Sequence, residues 1–215
     1  VTTSFARCGQ LLALLLAAVF SLTCRAEGPA PAPRPAHWAT SLKTDFNLHQ
    51  VDGKLYRSAL PDADDVAQLK SLGIVTVINL YQKSDQNWIA GSGMQEIHMP
   101  MRTRWFNDSD AIAALRAIRS AQASGPVLVH CKHGQNRTGL VTALYRMVYQ
   151  GWSKEQALTE MQQGFGGASE KRMEHALDYL EDVDTDELRV ALESGACSTS
   201  ALSWCNVKGW LSFNP

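Results

Sequence analysis

The residues best suited to chemistry lie in one run, His130-Cys131-Lys132-His133-Gly134-Gln135-Asn136-Arg137-Thr138-Gly139. A cysteine six residues ahead of an arginine, with a hydroxyl residue next to that arginine, is a set that can move a phosphoryl group. The thiolate is the nucleophilic form of cysteine, and a helix N-terminus with neighbouring cations favours it over the thiol. Arg137 carries a planar fork that matches two oxygens of a phosphate, in the ground-state dianion and in a flattened transition state alike. Between the two, Lys132, His133, Gly134, Gln135 and Asn136 supply the backbone amides of an anion cradle. Lys132 and His133 also add positive charge, which would favour a second phosphate or an acidic phosphopeptide. Thr138 can donate its hydroxyl to the Cys131 sulfur and ease its departure from a phospho-cysteine intermediate. His130 stands behind the nucleophile, where it can fix the loop. Gly134 and Gly139 fit places where a loop needs unusual dihedrals or close backbone approach.

The flanking patterns supply the elements that must hold these groups. Pro126-Val127-Leu128-Val129, closed off by Gly125-Pro126, reads as a buried strand. Leu140, Val141, Leu144, Met147 and Val148 then recur at helical spacing until Gly151, a C-cap signal. Strand, tight loop and helix together aim amides and a helix N-terminus at one spot, and that spot suits an anion. Upstream, Asp52-Gly53 sits between two short alternating runs and signals a hairpin. Pro61 to Asp65 opens a helix through Val66, Leu69 and Leu72 that stops at Gly73. Ile74 to Leu80 and Met94 to Met99 read as strands, and 108–123 as a helix with Ile112, Leu115 and Ile118 on its core side. Alternating strands and helices predict an α/β fold, a central, mostly parallel sheet flanked by helices with its ligand at the strand C-termini. Beyond Gly151 the chain reads as helical. Ser153 with Gln156 forms a capping box, Ser169 can cap a second helix, and Thr185 a third that ends at Gly195.

The stretch from His130 to Thr138 resembles the signature of the cysteine-based protein tyrosine and dual-specificity phosphatases: His-Cys, five variable residues, Arg, then Ser or Thr. The signature is complete. Leu55-Tyr56-Arg57-Ser58-Ala59-Leu60-Pro61 and the Thr138-Gly139 end of the loop are similar to the exported bacterial members, among them a periplasmic tyrosine phosphatase tied to biofilm control. The resemblance runs from about Asn47 to the C-terminus. It implies the dual-specificity type of phosphatase fold with a helical C-terminal part, and hydrolysis of phosphotyrosine, with phosphoserine and phosphothreonine as further substrates. The implied partner is a phosphotyrosine-containing protein, such as the periplasmic part of a membrane signalling protein. No metal or cofactor is implied, because thiolate, amides and Arg137 already provide nucleophile and charge stabilisation. Two other readings stay open: a phosphatase for inositol phosphates or another small polyanion, and a phosphate-binding module without turnover.

One catalytic part is out of place. In the exported relatives the aspartate that protonates the leaving oxygen follows closely on the proline that ends the preceding strand. Here Pro100 leads into Met101-Arg102-Thr103-Arg104-Trp105-Phe106-Asn107-Asp108, so the expected place holds Arg104 or Trp105. Asp108 is the nearest carboxylate in the right direction and the candidate acid. It also stands where a helix begins, so N-capping is its other reading. Asp85 and Asp110 are substitutes. Trp105 and Phe106 could wall the pocket or pack as a core pair.

Composition frames the rest. A chain of 215 residues, 45% hydrophobic with a formal charge of -1, suffices for one domain with a sizeable core, and nothing in it points to nucleic acid. Arg7 precedes an apolar run from Leu11 to Phe20 that is short for a bilayer span and reads as the core of a secretory signal peptide. Cleavage is expected after Ala26; a lipoprotein through Cys24 and an uncleaved anchor are the alternatives. The domain plan is therefore a signal peptide over 1–26, a Pro/Ala-rich linker over 27–44, the phosphatase domain over 45–195 and a tail over 196–215. The location is periplasmic, with membrane contact only through the export signal. After cleavage Cys131, Cys197 and Cys205 remain, and in an oxidising compartment the last two are expected to bridge. The rival reading makes one of them a redox partner of Cys131.

Overall fold

Short β-branched runs separated by amphipathic segments pair side by side and leave their connections to lie across the two faces. The computed structural model describes residues 34–166, 169–201 and 203–205; the signal segment and the first part of the expected linker lie outside them. The strands are β1 (Thr40–Lys43), β2 (Leu48–Gln50), β3 (Leu55–Ser58), β4 (Thr76–Asn79), β5 (Gln95–His98) and β6 (Val127–His130), joined in one sheet of order β1-β2-β3-β6-β4-β5. Strands β3, β6, β4 and β5 run parallel, whereas β1, β2 and β3 are antiparallel. Every residue of β3, β4 and β6 is buried, as strands covered on both faces must be.

The helices are α1 (Val66–Ser71), α2 (Gln86–Ile89), α3 (Asp108–Ala121), α4 (Asn136–Gln150), α5 (Lys154–Gln163), α6 (Glu170–Asp182) and α7 (Thr185–Ser194). The two-residue period of the strands divides the core. Leu55, Ile78, Val127 and Val129 face the layer built from α3 to α7, while Tyr56, Val77 and Leu128 meet Leu69 of α1 and Trp88 and Ile89 of α2 on the other side. Side chains such as Leu140, Leu144 and Ile118 are fully buried, and each contributes about 1.5–3 kcal/mol by leaving water.

A buried ion pair ties the helical layer to the first strands. Arg146 of α4 bonds Glu160 of α5 through Nε at 3.0 Å and Nη2 at 2.8 Å, and donates from Nη1 to the Val51 carbonyl at 3.2 Å. Glu160 also accepts from the Ala39 amide at 2.6 Å.

That contact corrects the domain plan. Among the described residues, which begin at Arg34, residues 40–43 of the expected linker are strand β1. Thr40-Ser41-Leu42-Lys43 has no apolar alternation because it is an edge strand, held by backbone bonds to β2 rather than by a buried face. Three caps also differ in detail. Asn107, not Asp108, caps α3 with a capping box to Asp110, and Asp184, not Thr185, caps α7. Ser169 stands at the N-cap of α6 without a side-chain bond. The Ser153–Gln156 box forms as expected.

Candidate active site

Cys131 follows directly on β6, between β3 and β4, so the nucleophile candidate stands at the C-terminal edge of the parallel sheet. It is buried and is the free cysteine among the described residues, because Cys197 and Cys205 form a disulfide. The redox reading of Cys131 loses its partner.

The loop after Cys131 is shaped by close packing. Gly134 has φ +70°, and a Cβ there would lie 2.6 Å from the Ala59 nitrogen and 2.7 Å from the Ser58 carbonyl, so only glycine lets the loop rest on the end of β3. At Gly139 the reason is spacing alone: a Cβ would meet Met161 of α5 at 3.0 Å. Gln135 occupies the N-cap of α4 without capping it, and its amide instead donates to the Phe165 carbonyl at 3.4 Å and the Gly166 carbonyl at 3.3 Å. The first turn of α4 is thus left without a side-chain acceptor, the condition under which a helix N-terminus binds an anion.

Arg137 is the second residue of α4. Its Nη1 donates to Gln82 Oε1 at 2.9 Å and the Leu80 carbonyl at 3.3 Å, and its guanidinium stands 5.6 Å from the Tyr81 ring. No described residue takes Nε or Nη2, which leaves that side of the fork for an anion. A cavity of about 150 Å³ is lined by Cys131, His133, Gln135, Asn136, Arg137 and Arg172, enough for one phosphate group. Beside it runs a groove of about 600 Å³ that shares His133 and Gln135 and is lined further by Phe46, Asn47, Leu60 and Lys132.

Several expected roles change in the structure. His133 is held below its ordinary imidazole value, by partial burial first and then by Lys132, Arg172 and Arg137, which works against the positive charge expected of it. The second cation at the cavity is Arg172 of α6, whose carbonyl accepts from Asn136 Nδ2. Sequence reading missed it, because a basic residue in a first helical turn carries no local mark of a distant site. The Thr138 hydroxyl is buried without a hydrogen-bond partner, so the expected bond to sulfur is not made in this geometry. Behind the nucleophile, His130 Nε2 lies 2.6 Å from Asp85 Oδ2, and both residues are fully buried. Asp85 therefore has no access to a leaving group.

Asp108 is also employed elsewhere. Its Oδ1 accepts from the Tyr179 hydroxyl at 2.8 Å and its Oδ2 from Thr199, which fastens α3 to α6 and to the disulfide-closed tail. The Tyr179 phenol is pushed up by burial and then by Asp108, so it stays a donor. Asp108 does not line the cavity, and among the described residues no carboxylate does. Phe106 is buried, edge-on to Tyr179 at 4.8 Å, while Trp105 is 67% exposed beneath Arg104, so the two aromatics are not a core pair.

Residues 55–181 match the family model described as dual specificity phosphatase, catalytic domain. The chain belongs to this family. Among other dual-specificity phosphatases it is 40% identical over 205 residues, 93% of each chain, to the dual specificity protein phosphatase TpbA of Pseudomonas aeruginosa. A solved structure of a TpbA variant in complex with pTyr is similar with a TM-score of 0.73 and 39% identity, covering 76% of this chain and all of that one. An inositol diphosphatase of Arabidopsis thaliana is 26% identical over 157 residues, 69% of this chain and 74% of its own. The mostly parallel sheet and helical C-terminal part expected of the phosphatase fold are both present.

Proposed function

We propose that this dual-specificity phosphatase hydrolyses phosphotyrosine in protein substrates, and phosphoserine and phosphothreonine as further esters, through a phospho-cysteine on Cys131. The observation that carries the reading is the cavity in which Cys131 meets the uncapped N-terminus of α4 and the open side of the Arg137 fork. The similarity to a relative solved with pTyr supports it. Sulfur attacks phosphorus, the bond to the leaving oxygen breaks, and that oxygen takes the electron pair and a proton from solvent water. Water then attacks phosphorus, the S–P bond breaks, and the thiolate returns with release of inorganic phosphate. The amides and Arg137 hold the equatorial oxygens in both steps. The adjoining groove has room for the remainder of the substrate.

One observation favours a second reading. With no carboxylate among the lining residues, a leaving group that departs unaided has the advantage, and a phosphoanhydride releases phosphate itself. Lys132 and Arg172 would meet the extra charge of such a polyanion. Inositol diphosphatases among the relatives are consistent with this.

Initial rates on three substrates separate the readings: a phosphotyrosine peptide, an activated aryl phosphate and an inositol diphosphate. The protein phosphatase reading predicts turnover of the peptide above that of the inositol compound. The reverse order supports the polyanion reading, and no turnover of any would leave a binding module. Asp108→Asn belongs in the same series. A carboxylic acid acting on the leaving oxygen is worth about 100- to 10,000-fold for a poor leaving group. The bonds of Asp108 predict instead an equal, small change on all substrates and a lower melting temperature. Selective slowing on the peptide would return Asp108 to the mechanism.

The export reading is likewise part of the proposal: residues 1–26 direct the chain to the periplasm, where a phosphoprotein of the membrane signalling machinery is the partner, in a role akin to biofilm control. The Cys197–Cys205 disulfide supports an oxidising compartment. Cell fractionation with N-terminal sequencing should find the protein in the periplasm, starting at Glu27; an intact N-terminus in the cytoplasm would sink the idea.

A further inference from the structure

Beneath the phosphate loop lies a cation that the signature does not contain. Arg57 of β3 is fully buried, pairs in register with Val129 of β6 and faces the helical layer. Its Nη2 donates to the Gly134 carbonyl, in the middle of the loop. The guanidinium carbon stands 3.3 Å from the centroid of the Phe165 ring, and Nε and Nη1, both buried, have no hydrogen-bond partner. A buried cation so poorly satisfied is destabilising relative to an apolar side chain of the same size. A negative charge near it would offset that cost.

Two groups able to carry negative charge act on it. Burial draws the Arg57 guanidinium down to about 9, Glu160 and Cys131 oppose that loss, and Arg34 and Arg146 add to it. Glu160 is already committed, since both its oxygens are taken by Arg146 and one also by the Ala39 amide. Cys131 is the group left over, and it lies two residues beyond Val129, the register partner of Arg57, on the same side of the sheet. On its other side Cys131 shares the cavity with Arg137, Arg172 and His133, so a charge from β3 reaches it from the side that no substrate covers.

We propose that Arg57 is a positioning residue of the phosphatase reaction, holding the Gly134 carbonyl out of the anion cradle and supplying a fixed counter-charge behind the Cys131 thiolate. The carbonyl bond turns the Gly134 oxygen toward β3, so the amides around it stay free for phosphate. The charge favours the ionised sulfur before substrate arrives and again when the phospho-cysteine is hydrolysed. The inference rests on Cys131 being the nucleophile, and its test reads the thiol directly.

The experiment is the pH dependence of Cys131 alkylation by iodoacetamide, followed on the Cys131 peptide by mass spectrometry, in the full chain and in Arg57→Gln, Arg57→Met and Arg57→Lys. Glutamine keeps a donor for the Gly134 carbonyl but loses the charge; lysine keeps the charge. The midpoint of the alkylation profile should move up by about one pH unit in Arg57→Gln and Arg57→Met, a tenfold change in the ionisation constant of the thiol, and the profiles should converge with the native one at alkaline pH. Arg57→Lys should follow the native profile. Native-like profiles in both neutral variants would overturn the counter-charge. Should Arg57→Met fail to fold, as a melt would reveal, Arg57→Gln decides alone. If neither neutral variant folds, Arg57→Lys decides, a native-like profile upholding the assignment and a displaced one overturning it. Displaced profiles in a native protein that turns over no phosphoester would instead dispose of the phosphatase reading and keep this one.

Discussion

Cys131→Ser should reduce phosphotyrosine hydrolysis by roughly ten-thousand-fold or more while the protein still folds and still binds phosphotyrosine. The hydroxyl is close in size to the thiol, and the site is buried and already packed, so the sheet and α4 have no cause to rearrange. The anion is held by backbone amides and Arg137, none of which the substitution touches. Rates on a phosphotyrosine peptide, with calorimetric titration of phosphotyrosine and a thermal melt, check the three parts together. Activity above a trace would exclude a covalent phospho-cysteine. Lost binding with a normal melt would mean that the thiolate, rather than the cradle, holds the ester.

Arg137→Lys should lower kcat/KM by about 100- to 1,000-fold, the usual effect of removing one well-placed donor to a developing anion. Arg137 has to do two things at once. Its Nη1 is tied to Gln82 and the Leu80 carbonyl, which fixes the plane of the fork, while the other side faces the anion. A lysine ammonium is a point charge that can serve either the loop after β4 or the phosphate, without bidentate geometry. The loss should fall on kcat as well as KM, because the equatorial oxygens flatten into the plane of the fork only in the transition state. Steady-state kinetics on an aryl phosphate decide it. A change confined to KM would reduce Arg137 to a ground-state contact.

The phosphate loop and its two flanking elements were legible without a fold. Val127 to Val129, the glycine in the loop and the apolar recurrence from Leu140 to Val148 are local signals, and each reports on hydrogen bonds made within a few residues of itself. The Asp52-Gly53 hairpin and the Ser153–Gln156 box are legible for the same reason. Strand β1 is not, because its stability comes from backbone pairing with β2, which leaves no periodic mark on Thr40 to Lys43. The general acid is where local reading reached its limit. A carboxylate at a helix start looks the same whether it serves a substrate, its own helix or a neighbour, and Asp108 serves Tyr179 and Thr199, 71 and 91 residues away.

By itself the sequence determined the strand–loop–helix and the α/β class, and it singled out the candidate nucleophile and the arginine fork that this motif presents. Tertiary structure alone decided what surrounds them: Asp85 behind His130, Arg172 at the cavity rim, Arg57 under Gly134, and the cations that lower the His133 imidazole. The physical reason is one of range. Periodicity, caps and turns are settled by neighbours in the chain, whereas the charge a site feels is set by whichever buried or rim groups the packing of distant elements brings within a few ångströms of it, where little water remains to screen them.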